Sequence, residues 1–176
     1  GWDLRKALQL LWKSNPAIVE WLQSPIVYVD DNRFAPAARE LLPDIYSLAK
    51  GIYHYRSMAK TNYRGYLKEA LVPIKKYFYV LRPLLAIRWL EQYLQPAPIE
   101  FHRLRELLDG NPINDEIEHL LQRKKLSQEK EVAPAITPLN NFIEAELERL
   151  EQIAFEENAD KGNIDKLNAL FKAMLV

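Results

Sequence analysis

The residues with the most chemical potential lie in one stretch, VPIKKYFYVLRPLLAIRWLEQY, at positions 72–93. It is apolar and aromatic on nearly every side, yet it carries Lys75, Lys76, Arg82 and Arg88. A helix that is hydrophobic all round is normally buried, and a buried cation is costly unless an anion or a hydrogen-bond acceptor meets it. Either acidic side chains elsewhere in the chain neutralise these four, or an anionic ligand does. Lys75 and Arg82 are seven residues apart and share a helix face, with Tyr79, Trp89 and Tyr93 within about 40° of it. Cations interleaved with aromatic rings suit a nucleotide, because phosphates pair with the cations and a base stacks on a ring. The simpler account has Lys75 and Arg82 snorkelling to the surface or pairing with Glu69 or Glu91.

Other polar groups carry weaker signals. His54, Ser57, Thr61, Arg64 and Lys68 form a polar stripe on the segment 52–68, and a histidine near basic residues can bind phosphate. Asn62 lies nearer that segment's aromatic face, placed to cap or bridge. Asp30 and Asp31 are adjacent acids after a strand-like run, where turn chemistry explains them better than a metal site. His102 and His119 have no metal-like spacing to each other. With no cysteine, disulfides, thiolate metal sites and cysteine nucleophiles are excluded. No glycine-rich phosphate loop or serine nucleophile elbow is present.

The elements that must position these groups read as helices. Asp3 caps a first helix, and Asn15 followed by Pro16 starts a second. The run PIVYV at 25–29 reads as a strand, and a lone strand needs a partner, either a sheet upstream of Gly1 or another chain. The segment 36–50 continues as helix with an interruption near Pro43, and Gly51 allows a break before a helix over 52–68. The central helix spans 72–93 and is kinked at Pro83, which cannot donate to the Tyr79 carbonyl. Three- and four-residue apolar spacing marks further helices after Pro98, after Asn114 as a cap, after Pro138 and from Ile164.

The expected architecture is therefore mainly α, a helical bundle around a central kinked helix with one short strand left over. Residues 1–49 form one unit with the connecting helices and 50–176 a helical domain. At 176 residues with 48% apolar side chains, the chain can bury one good core. No apolar run reaches the length of a membrane span. Charge is unevenly placed: positions 50–95 hold nine basic and two acidic residues, net +7, while 96–176 hold ten basic and sixteen acidic, net −6. That pattern fits internal neutralisation, or a phosphate-binding surface beside an acidic scaffold. The start at Gly1, without methionine or a signal-like segment, is expected of a fragment or a processed product.

Four blocks carry a resemblance: GWDLRKALQLLWKSNPAIVEWLQSPIVY, YHYRSMAKTNYRGYL, IKKYFYVLRPLLAIRWLEQ and PAPIEF. In order and spacing they resemble the C-terminal two-thirds of nucleotidyltransferases of the DNA polymerase beta superfamily, of the type linked with bacterial RNA repair. The resemblance covers roughly Gly1 to Leu108. It implies an upstream αβ nucleotidyltransferase domain carrying a glycine-serine turn and paired aspartates that hold two Mg2+ ions. That motif is missing from this chain, so the resemblance implies no catalytic or metal-binding residue here and an inactive fragment. It also makes PIVYV the remnant of the upstream sheet. The helical half of such enzymes offers cations to the triphosphate, which makes Lys75, Lys76 and Arg82 nucleotide-binding candidates with Tyr79 beside them, and His54 and Asn62 lesser ones. The implied reaction moves a nucleotidyl group from a nucleoside triphosphate to an acceptor hydroxyl, an RNA end among the candidates. A cytoplasmic setting without a membrane partner is implied, with oligomerisation through the sheet edge left open. The alternative is a non-catalytic helical interaction module whose basic centre is neutralised internally.

Overall fold

The computed structural model describes residues 3–28, 33–126, 131–153 and 164–175. Among them the chain is mainly helical, as expected. The helices are α1 (Leu4–Trp12), α2 (Pro16–Leu22), α3 (Phe34–Ile45), α4 (Leu48–Tyr66), α5 (Phe78–Tyr93), α6 (Phe101–Arg105), α7 (Ile113–Leu126), α8 (Thr137–Gln152) and α9 (Ile164–Ala173). Short 3-10 turns at Ile74–Tyr77 and Glu106–Leu108 lead into α5 and follow α6.

The helix starts follow local chemistry. The Asp3 carboxylate accepts from the Lys6 amide at 2.8 Å and the Asn15 side chain from the Ala17 amide at 3.0 Å, so both orphan ends are capped. The cap of α7 is Asn111, not Asn114: the Asn111 side chain accepts from the Ile113 amide at 3.0 Å. Asn114 lies inside the helix and receives Arg105 instead. Pro43 is accommodated inside α3, which runs on to Ile45. Gly51 does not break α4 either. A Cβ there would lie 2.1 Å from the Tyr46 hydroxyl oxygen, so glycine is required by close packing rather than by a turn.

The expected strand at 25–29 is corrected. Residues 25–28 are irregular, with Ile26, Val27 and Tyr28 exposed, and Val29 lies outside the described residues. β-branched and aromatic residues favour a strand only where a neighbour supplies the ladder. The sheet that does form joins β1 (Leu71–Pro73) to β2 (Val132–Pro134), antiparallel, with Leu71 opposite Pro134 and Val72 opposite Ala133. Its formation shortens the central helix, because residues 71–73 are committed to the ladder and α5 begins only at Phe78. Pro83 is inside α5 and buried, as the pattern required.

Two apolar clusters result. One joins α1, α2 and α3 to α9 through Leu8, Leu11, Val19, Ala38, Leu42, Leu167 and Leu170. The other surrounds α5, whose Leu81, Leu84, Leu85, Ile87 and Leu90 are inaccessible among side chains of α4, α6, α7 and α8. Tyr46 packs against both clusters. Beside it, the buried Ser14 hydroxyl accepts from the Ser47 amide at 2.8 Å, tying the α1–α2 turn to the start of α4. In the larger cluster the fully buried Tyr77 accepts from the Ile136 amide at 2.7 Å and donates to Asn140 at 2.9 Å, fixing α8 to the entry of α5.

Candidate functional site

The four cations of the central stretch meet different fates. Arg88 is neutralised inside the chain: its guanidinium donates to both carboxylate oxygens of Glu146 at 2.9 and 2.7 Å and lies over the Phe142 ring. Glu146 is buried and also receives Arg149 at 3.1 Å, while Arg149 grips Glu91 through two contacts of 2.9 Å. Burial pushes the Glu146 carboxyl up, but the hydrogen bonds from Arg88 and Arg149 outweigh it and hold the group below the usual carboxylate range. Arg88, Glu91, Gln92, Leu107 and Arg149 line a cleft of about 330 Å³. Its two arginines are occupied by two carboxylates, so the cleft offers a ligand little unspent charge.

Arg82 is shared between α2 and the loop before α6. It donates to the Ile99 carbonyl at 2.6 Å and lies 3.4 Å from the Glu20 carboxylate. The same Glu20 oxygen accepts from the Tyr55 hydroxyl at 3.0 Å. Burial first, and the Glu20 charge second, push the Tyr55 and Tyr46 phenols far above their ordinary value, so both stay neutral. The partner is thus Glu20 rather than Glu69 or Glu91.

Lys76 has no carboxylate partner among the described residues. Its ammonium sits 3.9 Å from the centroid of the Tyr66 ring and 4.5 Å from that of Tyr79, and both tyrosines are exposed. This is a cation held on aromatic faces at the surface. Lys75 is engaged within the chain. Asn62 lies one turn before Tyr66 on α4, where its amide donates to the Met58 carbonyl at 2.8 Å. His54 stands edge-on to Tyr53 with ring centroids 6.2 Å apart. The structure therefore brings Lys76 and Tyr79 together with Tyr66, leaves Arg82 one turn further along α5 against Glu20, and sets His54 apart.

The remaining basic residues of the centre are largely answered by α8. Lys60 pairs with Glu151 at 2.5 Å, Lys68 with Glu144 at 3.0 Å, and Arg56 donates to the Leu150 carbonyl at 3.0 Å. Glu144 also accepts from Tyr63, and hydrogen bonds from Tyr63 and Lys68 lower its carboxyl. The opposite charges of 50–95 and 96–176 left internal neutralisation and a phosphate-binding surface both open, and these pairs realise the first for Lys60, Lys68 and Arg88. The particular pairs are 58 residues apart for Arg88–Glu146, 76 for Lys68–Glu144 and 91 for Lys60–Glu151, with no local spacing to reveal them.

Among the described residues no group of three or more His, Asp and Glu side chains could hold a metal ion, and Asp30 and Asp31 fall outside those residues. No helix among them is long and apolar enough to cross a membrane.

The model of the RNA repair pathway DNA polymerase beta family, RlaP, matches residues 1–173. The chain belongs to that family. The RlaP match continues through α7, α8 and α9, so the expectation that the likeness ends near Leu108 is corrected. It spans nearly the whole chain and does not mark it off as a C-terminal part. A Bacillus subtilis (strain 168) relative, "Uncharacterized protein YcgL", is 41% identical over 172 residues, which is 97% of this chain and 66% of the relative. The chain thus spans just under two thirds of the length of that relative. No solved structure matches the chain.

Proposed function

We propose that this chain is the helical portion of a nucleotidyltransferase that moves a nucleotidyl group from a nucleoside triphosphate to an acceptor hydroxyl, with an RNA end as the acceptor. Membership of the RlaP family supports the reaction class. The observation that carries a nucleotide role for this chain is Lys76, an ammonium on two exposed tyrosine rings without a carboxylate partner among the described residues. Its charge meets a phosphate while Tyr66 and Tyr79 offer faces for a base. Lys75 extends the cationic edge, and Asn62 lies on the same side of α4. A phosphate reaching Arg82 competes with Glu20, and His54 is the outlying member of the set.

Two Mg2+ ions, when bound, neutralise the triphosphate and stabilise the in-line displacement. Among the described residues no group of three or more His, Asp and Glu side chains could hold them, and the family resemblance supports placing metal binding in an upstream αβ domain of a longer, cytoplasmic protein. What this chain contributes is binding and positioning.

Calorimetric titration of the full-length protein with each nucleoside triphosphate and Mg2+ tests the reading. Lys76→Ala is expected to weaken binding about five- to thirtyfold, the loss of roughly 1–2 kcal/mol of charge-assisted contact. Unchanged affinity in Lys76→Ala and Tyr79→Ala together refutes the site. A second reading, a non-catalytic interaction module, is favoured by the neutralisation of Lys60, Lys68 and Arg88 by α8. It is the outcome if the wild-type protein binds no triphosphate.

A further inference from the structure

On the flank of α4 that leads to Lys76, three residues follow one another at one-turn spacing: Met58, Asn62 and Tyr66. Met58 and Tyr66 are exposed and Asn62 is half-buried between them. A step of four residues advances only 40° around a helix, so the three form one strip. Neighbours at that spacing have Cβ atoms about 5–6 Å apart. At the end of the strip the Tyr66 ring meets the Lys76 ammonium, 3.9 Å from the ring centroid, and is 42% exposed, so ring surface remains beyond what Lys76 covers. No acidic residue occurs in α4, so no carboxylate of that helix stands along the strip. The Asn62 side-chain nitrogen donates to the Met58 carbonyl at 2.8 Å. That bond fixes which way the amide faces, because the reversed amide would set its oxygen against a carbonyl oxygen. One N–H and the amide oxygen of Asn62 are left without a partner among the described residues.

A ring binds any base by stacking and does not tell one from another. An acceptor and a donor held in fixed order beside the ring do. The N6/N7 edge of adenine offers an amino donor next to a ring-nitrogen acceptor, which an asparagine amide engages through both its groups. The same edge of guanine offers two acceptors, so its O6 would face the amide oxygen, and pyrimidines have no ring nitrogen there. We propose that Asn62 reads the base of the bound nucleotide and that the nucleotide it selects is adenosine triphosphate. The inference rests on the reading that Lys76 meets the phosphates while Tyr66 carries the base. A bond from a polar side chain back to the carbonyl four residues earlier is common in helices. Here it also holds the remaining amide groups in one orientation, one turn from an exposed ring that already carries a cation.

The test is calorimetric titration of the full-length protein with the Mg2+ complexes of ATP, GTP and ITP, the last being a purine nucleotide with oxygen in place of the 6-amino group of ATP. ATP is expected to bind about three- to tenfold more tightly than ITP or GTP, the worth of a hydrogen bond at a half-exposed site. Asn62→Ala and Asn62→Leu are each expected to bring ATP down to the level of the other two. Both residues favour helix, so melting temperatures near wild type are expected. Equal wild-type affinity for ATP and ITP, or an ATP preference that survives in both variants, overturns Asn62 as the reader. An equal loss of affinity for all three nucleotides also overturns it, since a packing residue would act on them alike. Triphosphates that bind through Lys76 without base preference refute this inference and leave the nucleotide reading standing. A wild-type protein that binds none of them refutes that reading, and this one with it.

Discussion

Glu146→Gln is the substitution whose consequence the structure specifies most fully. Glu146 is 4% exposed and accepts from Arg88 twice and from Arg149 once. The amide keeps the shape but removes the charge and turns one acceptor into a donor facing guanidinium N–H groups. Breaking a buried pair by removing one partner costs about 3–5 kcal/mol. The side chains of Arg88 and Arg149 are 31% and 36% exposed, so water recovers part of that, and Arg149 keeps Glu91. The expected loss is about 2–3 kcal/mol, or a melting temperature lower by roughly 5–10 °C in a chain of this size. Urea denaturation and thermal melts give both numbers. Adding Arg88→Met to Glu146→Gln is expected to restore part of the loss, since the uncompensated cation is gone and its apolar stem is retained. pH supplies an independent check. The folded-state carboxyl is held below its unfolded value, so the stabilisation is complete above the unfolded value and is lost as pH falls through the folded one. The difference between wild type and Glu146→Gln is therefore expected to shrink as the solution is acidified. A Glu146→Gln protein within 0.5 kcal/mol of wild type at neutral pH refutes the reasoning, ~0.5 kcal/mol being the ordinary effect of a surface change.

Two further substitutions probe the packing that carries the site. Tyr77→Phe leaves the Ile136 amide without its acceptor at the α8 entry and is expected to cost about 1–3 kcal/mol in urea denaturation, with little change in m. Gly51→Ala places a methyl 2.1 Å from the Tyr46 hydroxyl oxygen and 3.3 Å from Leu90, and is expected to cost about 1–3 kcal/mol despite alanine's better helix propensity. Part of that loss is expected to return with Tyr46→Phe, and a stabilised Gly51→Ala protein would show that Tyr46 yields freely.

What could be read in the sequence divides along the range of the interactions involved. The caps of α1 and α2, the buried Pro83 and the apolar spacing of α8 and α9 depend on residues a few positions apart, and they were legible. The start of α5 was not. Val72 and Pro73 belong to the apolar run by pattern, yet they pair with Ala133 and Val132, some sixty residues away, and no local signal announces a ladder of three residues. PIVYV failed for the converse reason, since its strand-like composition finds no ladder partner among the described residues. Gly51 shows the same limit on a smaller scale: a glycine within helical periodicity signals either a break or a close approach, and only the position of Tyr46 decides between them. Within the candidate site, spacing set Tyr79 beside the face of Lys75 and Arg82 and only the resemblance added Lys76, whereas Tyr66 and Glu20 come from other elements.

The cations of the central stretch therefore do not share one explanation. Arg88 is structural: a bidentate carboxylate partner, a ring beneath it and a neighbouring arginine on the same acid leave it no vacancy for a ligand. Lys76 has the opposite environment, since aromatic faces stabilise an ammonium by only about 0.5–1 kcal/mol at an exposed site and leave its N–H donors for something else. Arg82 is intermediate, with one short bond to a carbonyl and a carboxylate at 3.4 Å, longer than the 2.7–2.9 Å of a well-made charged hydrogen bond. An incompletely satisfied arginine can exchange its carboxylate for a phosphate at less cost than Arg88 can. The order in which these residues should respond to a polyanion follows from that: Lys76 most, Arg82 next, Arg88 not at all. Arg88→Met should accordingly alter stability but leave triphosphate affinity where it was in the folded protein.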